Sequence, residues 1–204
     1  IRFRVPGWDN LSLRQKEYAY HLSEAAKLGR DITWDQYCKW NLPIRHVVED
    51  ILNEYEGDRE CADFQNFTVY AKRLFFANGI HHHYSEDKFF PECPKEYFQS
   101  LMEAVGDGEQ ATELLEVIYS PDIYPQRRST SKTGDIVELS AVNFYDGVTR
   151  EEVDKYYNSM MDPNDKTPIS YGLNTKVVKE DGKVVEKPWK VGGIYGPALE
   201  KICA

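Results

Sequence analysis

The chain lacks paired cysteines. Cys38, Cys61, Cys93 and Cys203 are its four, and none forms a C-x-x-C pair. That spacing argues against a zinc knuckle or a thioredoxin-type site. With 41% hydrophobic residues the chain does not need disulfides, so reduced thiols are expected. It lacks any apolar run near the ~18 residues that cross a bilayer, so no membrane span is expected. It also lacks an excess of positive charge: the formal net charge is -9 over 204 residues. Phosphate contacts need clustered Lys and Arg, so nucleic acid is not an expected partner. The densest basic stretch, "QRRSTSK" at 126–132, reads as a solvated loop.

Common catalytic signatures are missing too. There is no H-E-x-x-H, no G-x-S-x-G and no G-x-x-x-x-G-K-[ST]. "DPNDKT" at 162–167 has a faint likeness to a calcium loop but lacks the sixth-position glycine, so it reads as a turn. Glu151 and Glu152 fall in the first turn of an expected helix, where the macrodipole accounts for them without catalysis.

Helical periodicity dominates residues 1–120. Ser12 with Gln15 predicts a capping box, followed by a helix with Tyr18, Leu22, Ala25 and Ala26 on one face and Gly29 at its end. His21 in that helix is expected to be buried and hydrogen-bonded to backbone. A second helix opens near Asn41, carrying Ile44, Val47, Val48, Ile51, Leu52 and Tyr55. A third runs from about residue 60 to Ala77, with Phe64, Phe67, Ala71, Leu74 and Phe75 as its stripe and Asn78-Gly79 as its close. Two more carry Tyr97, Phe98, Leu101 and Met102, and then Ala111, Leu114, Leu115 and Ile118. Residues 120–135 read as a long loop. The stretch 136–204 is expected to hold a short strand, a capping-box helix from Thr149 to about Met160, and a hairpin around Asp181-Gly182. A helix opening at Gly196-Pro197 follows, and its end at Ala204 is expected to be a cut inside a longer helix. The expected fold is therefore α+β, predominantly α-helical, over a single domain spanning 1–204.

One stretch stands apart: "NGIHHHYSEDKFF" at 78–90. In extended backbone, His81 and His83 would face one way and His82 and Tyr84 the other. Two histidines could ligate a metal, but a third protein ligand is not evident. A polar loop packed on a helix end and a ligand-lining loop are the other readings.

"YAYHLSEAA" at 18–26, "DITWDQYCKWNLPIR" at 31–45, "NGIHHHYSEDKFFP" at 78–91, "DPNDKTPISYGLNTKVVKEDGK" at 162–183 and "GGIYGPALEKI" at 192–202 together resemble the dipeptidyl peptidase III family, in its bacterial, Bacteroidetes-like members. The resemblance implies a zinc metallopeptidase that removes N-terminal dipeptides from short peptides, with two lobes around a cleft. Its zinc helix, H-E-x-x-G-H, and its E-E-x-R-A-D type motif belong to a downstream lobe. This chain would then be the N-terminal part of the lower, substrate-binding lobe, with no catalytic residue and no metal of its own. Zinc would be held by the full-length parent. The implied partners are a peptide substrate and the remaining C-terminal part of the same enzyme. Tyr84 falls where the family has an aromatic cleft residue, and His81 and His83 are carried with it as substrate-binding candidates. The expected location is cytoplasmic, or the bacterial cell envelope where a leader has been removed. A free-standing peptide-binding domain without hydrolytic activity is the alternative.

Overall fold

Ser12 accepts a hydrogen bond from the Gln15 amide while the Gln15 side chain accepts one from the Ser12 amide. This reciprocal cap starts α1 (Leu13–Leu28) in the computed structural model, which describes residues 4–165 and 174–204. The chain then turns directly into α2 (Arg30–Tyr37), a short helix that the sequence reading does not anticipate. Gly29 is right-handed here, with φ -78° and ψ -12°, so it is a junction between two helices. Next come α3 (Asn41–Glu54), α4 (Ala62–Ala77), α5 (Lys95–Ala104) and α6 (Ala111–Tyr119), all at the expected places.

The periodic apolar residues of α3 to α6 converge on one core. Ile44, Val48, Ile51, Phe67, Leu74, Phe98, Leu101, Met102, Leu115 and Ile118 are all buried in it. Aromatic edges knit the centre: Phe67 meets Phe98 at 5.1 Å between ring centroids, and Tyr70 meets Phe89 at 5.6 Å. Trp34 of α2 is also buried, with the Arg45 guanidinium 5.3 Å from its ring centroid.

The C-terminal part is built differently. β1 (Tyr145–Asp146) pairs parallel with β2 (Thr175–Glu180), which pairs antiparallel with β3 (Lys183–Pro188) across the Asp181-Gly182 turn. Asp181 and Gly182 both have positive φ, 50° and 76°, as a two-residue turn of this kind requires. The α7 helix (Arg150–Asn158) begins with the expected Thr149–Glu152 capping box and packs against the sheet. Val148, Val153 and Val177 form a second, smaller apolar cluster there. The α8 helix (Gly196–Cys203) lies against α1. The fold is thus predominantly helical α+β, and among the described residues no helix is long and apolar enough to cross a membrane. All four cysteines are free.

Three expectations are corrected. The stripe on α1 is not covered: Tyr18 and Leu22 are 66% and 53% exposed, because α8 overlies only part of the helix. His21 is exposed, with its ring edge against Tyr20 rather than backbone. The basic loop is not simply solvated, because Arg127 is buried. In "DPNDKT", Asp162–Asp165 form a turn, with the Asn164 amide donating to Asp162 Oδ1 at 2.8 Å; residues 166–167 lie outside the described residues.

Candidate functional site

The His-Tyr segment begins at a fixed point. Asn78 takes the left-handed conformation that ends α4, with φ 55°. Gly79 follows at φ +149°, and a Cβ there would sit 2.2 Å from the Asn41 side chain, so only glycine fits. Asn41 is wholly buried. Its amide nitrogen donates to Trp34 O at 3.0 Å, and its oxygen accepts from the Ile80 amide at 3.2 Å. One polar side chain therefore ties α2, α3 and the exit of α4.

From Ile80 to Phe89 the chain doubles back. The Phe89 amide donates to Ile80 O at 3.1 Å, the His82 amide to Asp87 O at 2.8 Å and the Glu86 amide to His82 O at 3.0 Å. His82 Nδ1 faces the Tyr84 and Ser85 amides at 3.3 and 3.2 Å, which holds the turn. The turn breaks the two-residue alternation expected of extended backbone. His81 alone is buried, at 2% exposed, while His82 and Tyr84 are exposed and His83 is half-buried. The histidines are therefore divided differently from the His81/His83 grouping that an extended segment implies.

The inward imidazole is an anchor. His81 Nε2 lies 2.8 Å from Tyr124 O, a carbonyl that can only accept, so Nε2 carries a proton, and burial favours the neutral ring. Burial, together with the nearby cations Lys88 and Arg127, pushes its pKa down to about 4. Lys88 is buried beside it and donates to Ser120 O at 2.6 Å and Ile123 O at 2.9 Å. Its pKa is lowered by burial to about 8. Glu86 accepts from Arg128 Nε at 2.8 Å and from Arg127 Nη2 at 2.8 Å. The two arginines, Arg128 foremost, hold its carboxyl well below the usual range, at about 2. The Arg127 guanidinium stacks over Tyr37, 4.2 Å from the ring centroid. Backbone bonds from Lys88 N to Pro125 O and from Arg127 N to Glu86 O complete the seam between 81–88 and 120–127.

On this base the outer rings form a shelf. His83 meets the Phe76 ring edge-on at 4.8 Å, stands 4.6 Å from His82 and lies 4.3 Å from Tyr84. Phe76 and Tyr84 are 73% and 85% exposed. Phe76, His82 and His83 also line a cavity of about 560 Å³, together with Lys72, Arg73, Ala77 and Phe89. Such a volume lies in the usual range for small-ligand pockets, ~300–1,000 Å³.

Of the three residues that stand out in sequence, Tyr84 and His83 reach this face and His81 does not. Phe76, Glu86, Lys88 and Arg127 do not stand out there as site residues. Phe76 had a signal of its own: it is an aromatic one step round the helix from the apolar stripe of α4. The other three are brought to the segment from elsewhere or turned inward by the fold. Among the described residues no group of three or more His, Cys, Asp or Glu is placed to hold a metal ion. No family model and no curated protein matches the chain.

Proposed function

We propose that this chain contributes a peptide-contacting surface to the substrate-binding lobe of a zinc-dependent dipeptidyl peptidase. The observation that carries the reading is the exposed shelf of Phe76, His82, His83 and Tyr84 on a base tied by Asn41, His81, Lys88 and Glu86. Flat rings offer a peptide apolar area at small entropic cost, and imidazole and phenol edges can hydrogen-bond its backbone. Rigid support means that little ordering is needed when the peptide arrives. The reaction class rests on the resemblance of "NGIHHHYSEDKFFP" and its companion stretches. In the family that these stretches resemble, zinc and the general base belong to a downstream lobe, so in this reading the C-terminal part of the parent enzyme would supply them. In this reading the chain alone hydrolyses nothing.

The test is Tyr84→Ala in the complete enzyme. Removing the ring contact is expected to lower kcat/KM on a chromogenic dipeptide amide about ten- to a hundredfold, mostly through KM. Zinc content and Tm should stay at wild-type values, since the side chain is 85% exposed. Unchanged kinetics in a folded variant would remove Tyr84 from the site.

A further inference from the structure

Helical spacing places Lys72 and Arg73 one turn before Phe76, so all three share one face of α4. Together with Ala77, His82, His83 and Phe89 they enclose the 560 Å³ cavity. Its lining is mainly apolar, and Lys72 and Arg73 bring two cations to it. Arg73 reaches Glu92 at only 3.7 Å, with both side chains at least half exposed, and Lys72 has no ion-pair partner among the described residues. On a chain whose net charge is -9, two cations beside an open aromatic cavity form a local exception.

We infer that this cavity is a side-chain subsite selecting peptides that carry an aromatic or large aliphatic residue and an acidic residue two positions away. The apolar side chain enters between Phe76 and Phe89, and the carboxylate meets Lys72 and Arg73. Two positions is the required spacing because side chains i and i+2 of an extended peptide lie on one face, about 6.5–7 Å apart. That distance is close to the rise of one helical turn, about 5.4 Å, which separates the cations from Phe76. The inference rests on the peptide-binding reading above.

The experiment titrates the 204-residue chain with end-blocked pentapeptides, following backbone amide shifts by NMR. Probes are Gly-Phe-Gly-Glu-Gly, its reverse order Gly-Glu-Gly-Phe-Gly, and versions with Gln for Glu or Ala for Phe. One order of the Phe and Glu pair is expected to shift residues 72–89 and to bind about three- to tenfold tighter than its Gln version. The Ala version should bind at least about tenfold weaker. A Lys72→Gln/Arg73→Gln variant should erase the Glu preference, so that it binds the Glu and Gln peptides alike. Equal binding of Glu and Gln peptides, or a preference that survives in that variant, overturns the subsite. If all peptides bind alike and Tyr84→Ala weakens them alike, the subsite fails while the peptide surface stands. Absence of binding by every probe overturns both.

Discussion

Acid should loosen the base of the His-Tyr shelf through His81. Its ring is 2% exposed, neutral, and hydrogen-bonded through Nε2 to Tyr124 O. Protonation would place a cation in a buried site that already faces Lys88 and Arg127, with Glu86 opposing them. The folded pKa is pushed down to about 4, against an unfolded value near 6.5. The unfolded chain therefore takes up this proton first as pH falls. The stabilisation linked to the neutral ring is fully present above about pH 6.5 and is lost as pH falls through about 4. A difference of roughly 2.5 pH units, at about 1.4 kcal/mol each, makes the loss on the order of 3 kcal/mol. His81→Gln can keep the donor to Tyr124 O and removes the titration. Urea unfolding read by tryptophan fluorescence, at several pH values between about 7 and 4, gives the comparison. The variant should lose about 1 kcal/mol near neutral pH from imperfect packing and should close that gap, or overtake wild type, near pH 4.5. Parallel stability curves for the two proteins across that range would refute the assignment. Glu86 does not confuse the test: its carboxyl, held at about 2, stabilises the fold above its unfolded pKa near 4.3 and loses that effect in the more acidic window below it, in both proteins.

Two further perturbations probe the same support. Glu86→Ala strips the carboxylate from Arg127, whose side chain is 8% exposed, and should lower stability by about 3 kcal/mol in urea unfolding at neutral pH. An effect below about 0.5 kcal/mol would mean that Arg127 finds its partners elsewhere. Gly79→Ala forces a side chain onto Asn41 at a φ of +149° and should lower stability by about 2–3 kcal/mol, visible as a drop in Tm, whereas Gly182→Ala, with open space around it, should lose clearly less.

Much of the architecture was legible in the residues alone. Ser12–Gln15 and Thr149–Glu152 announce α1 and α7 because a capping box is a contact over three residues. The stripes of α3 to α6 and the Asp181-Gly182 hairpin are equally local, each set by a period or a turn conformation. The unread element, α2, is only eight residues long, with Trp34 its sole buried side chain, so it has too few turns to show a period. The site was legible in part. "HHHY" and Asn78-Gly79 stand out in sequence, but which histidine turns inward does not. That choice depends on Tyr124 O, 43 residues away, and on Arg127 reaching Glu86 across 41 residues. Phe76 and Lys72 become part of a cavity only because the 82–86 turn folds back over α4. Local conformational preference acts over a few residues and is written in the chain. Burial, the tautomer of His81 and the enclosure of a cavity arise from groups distant in sequence, and only packing decides which of them meet.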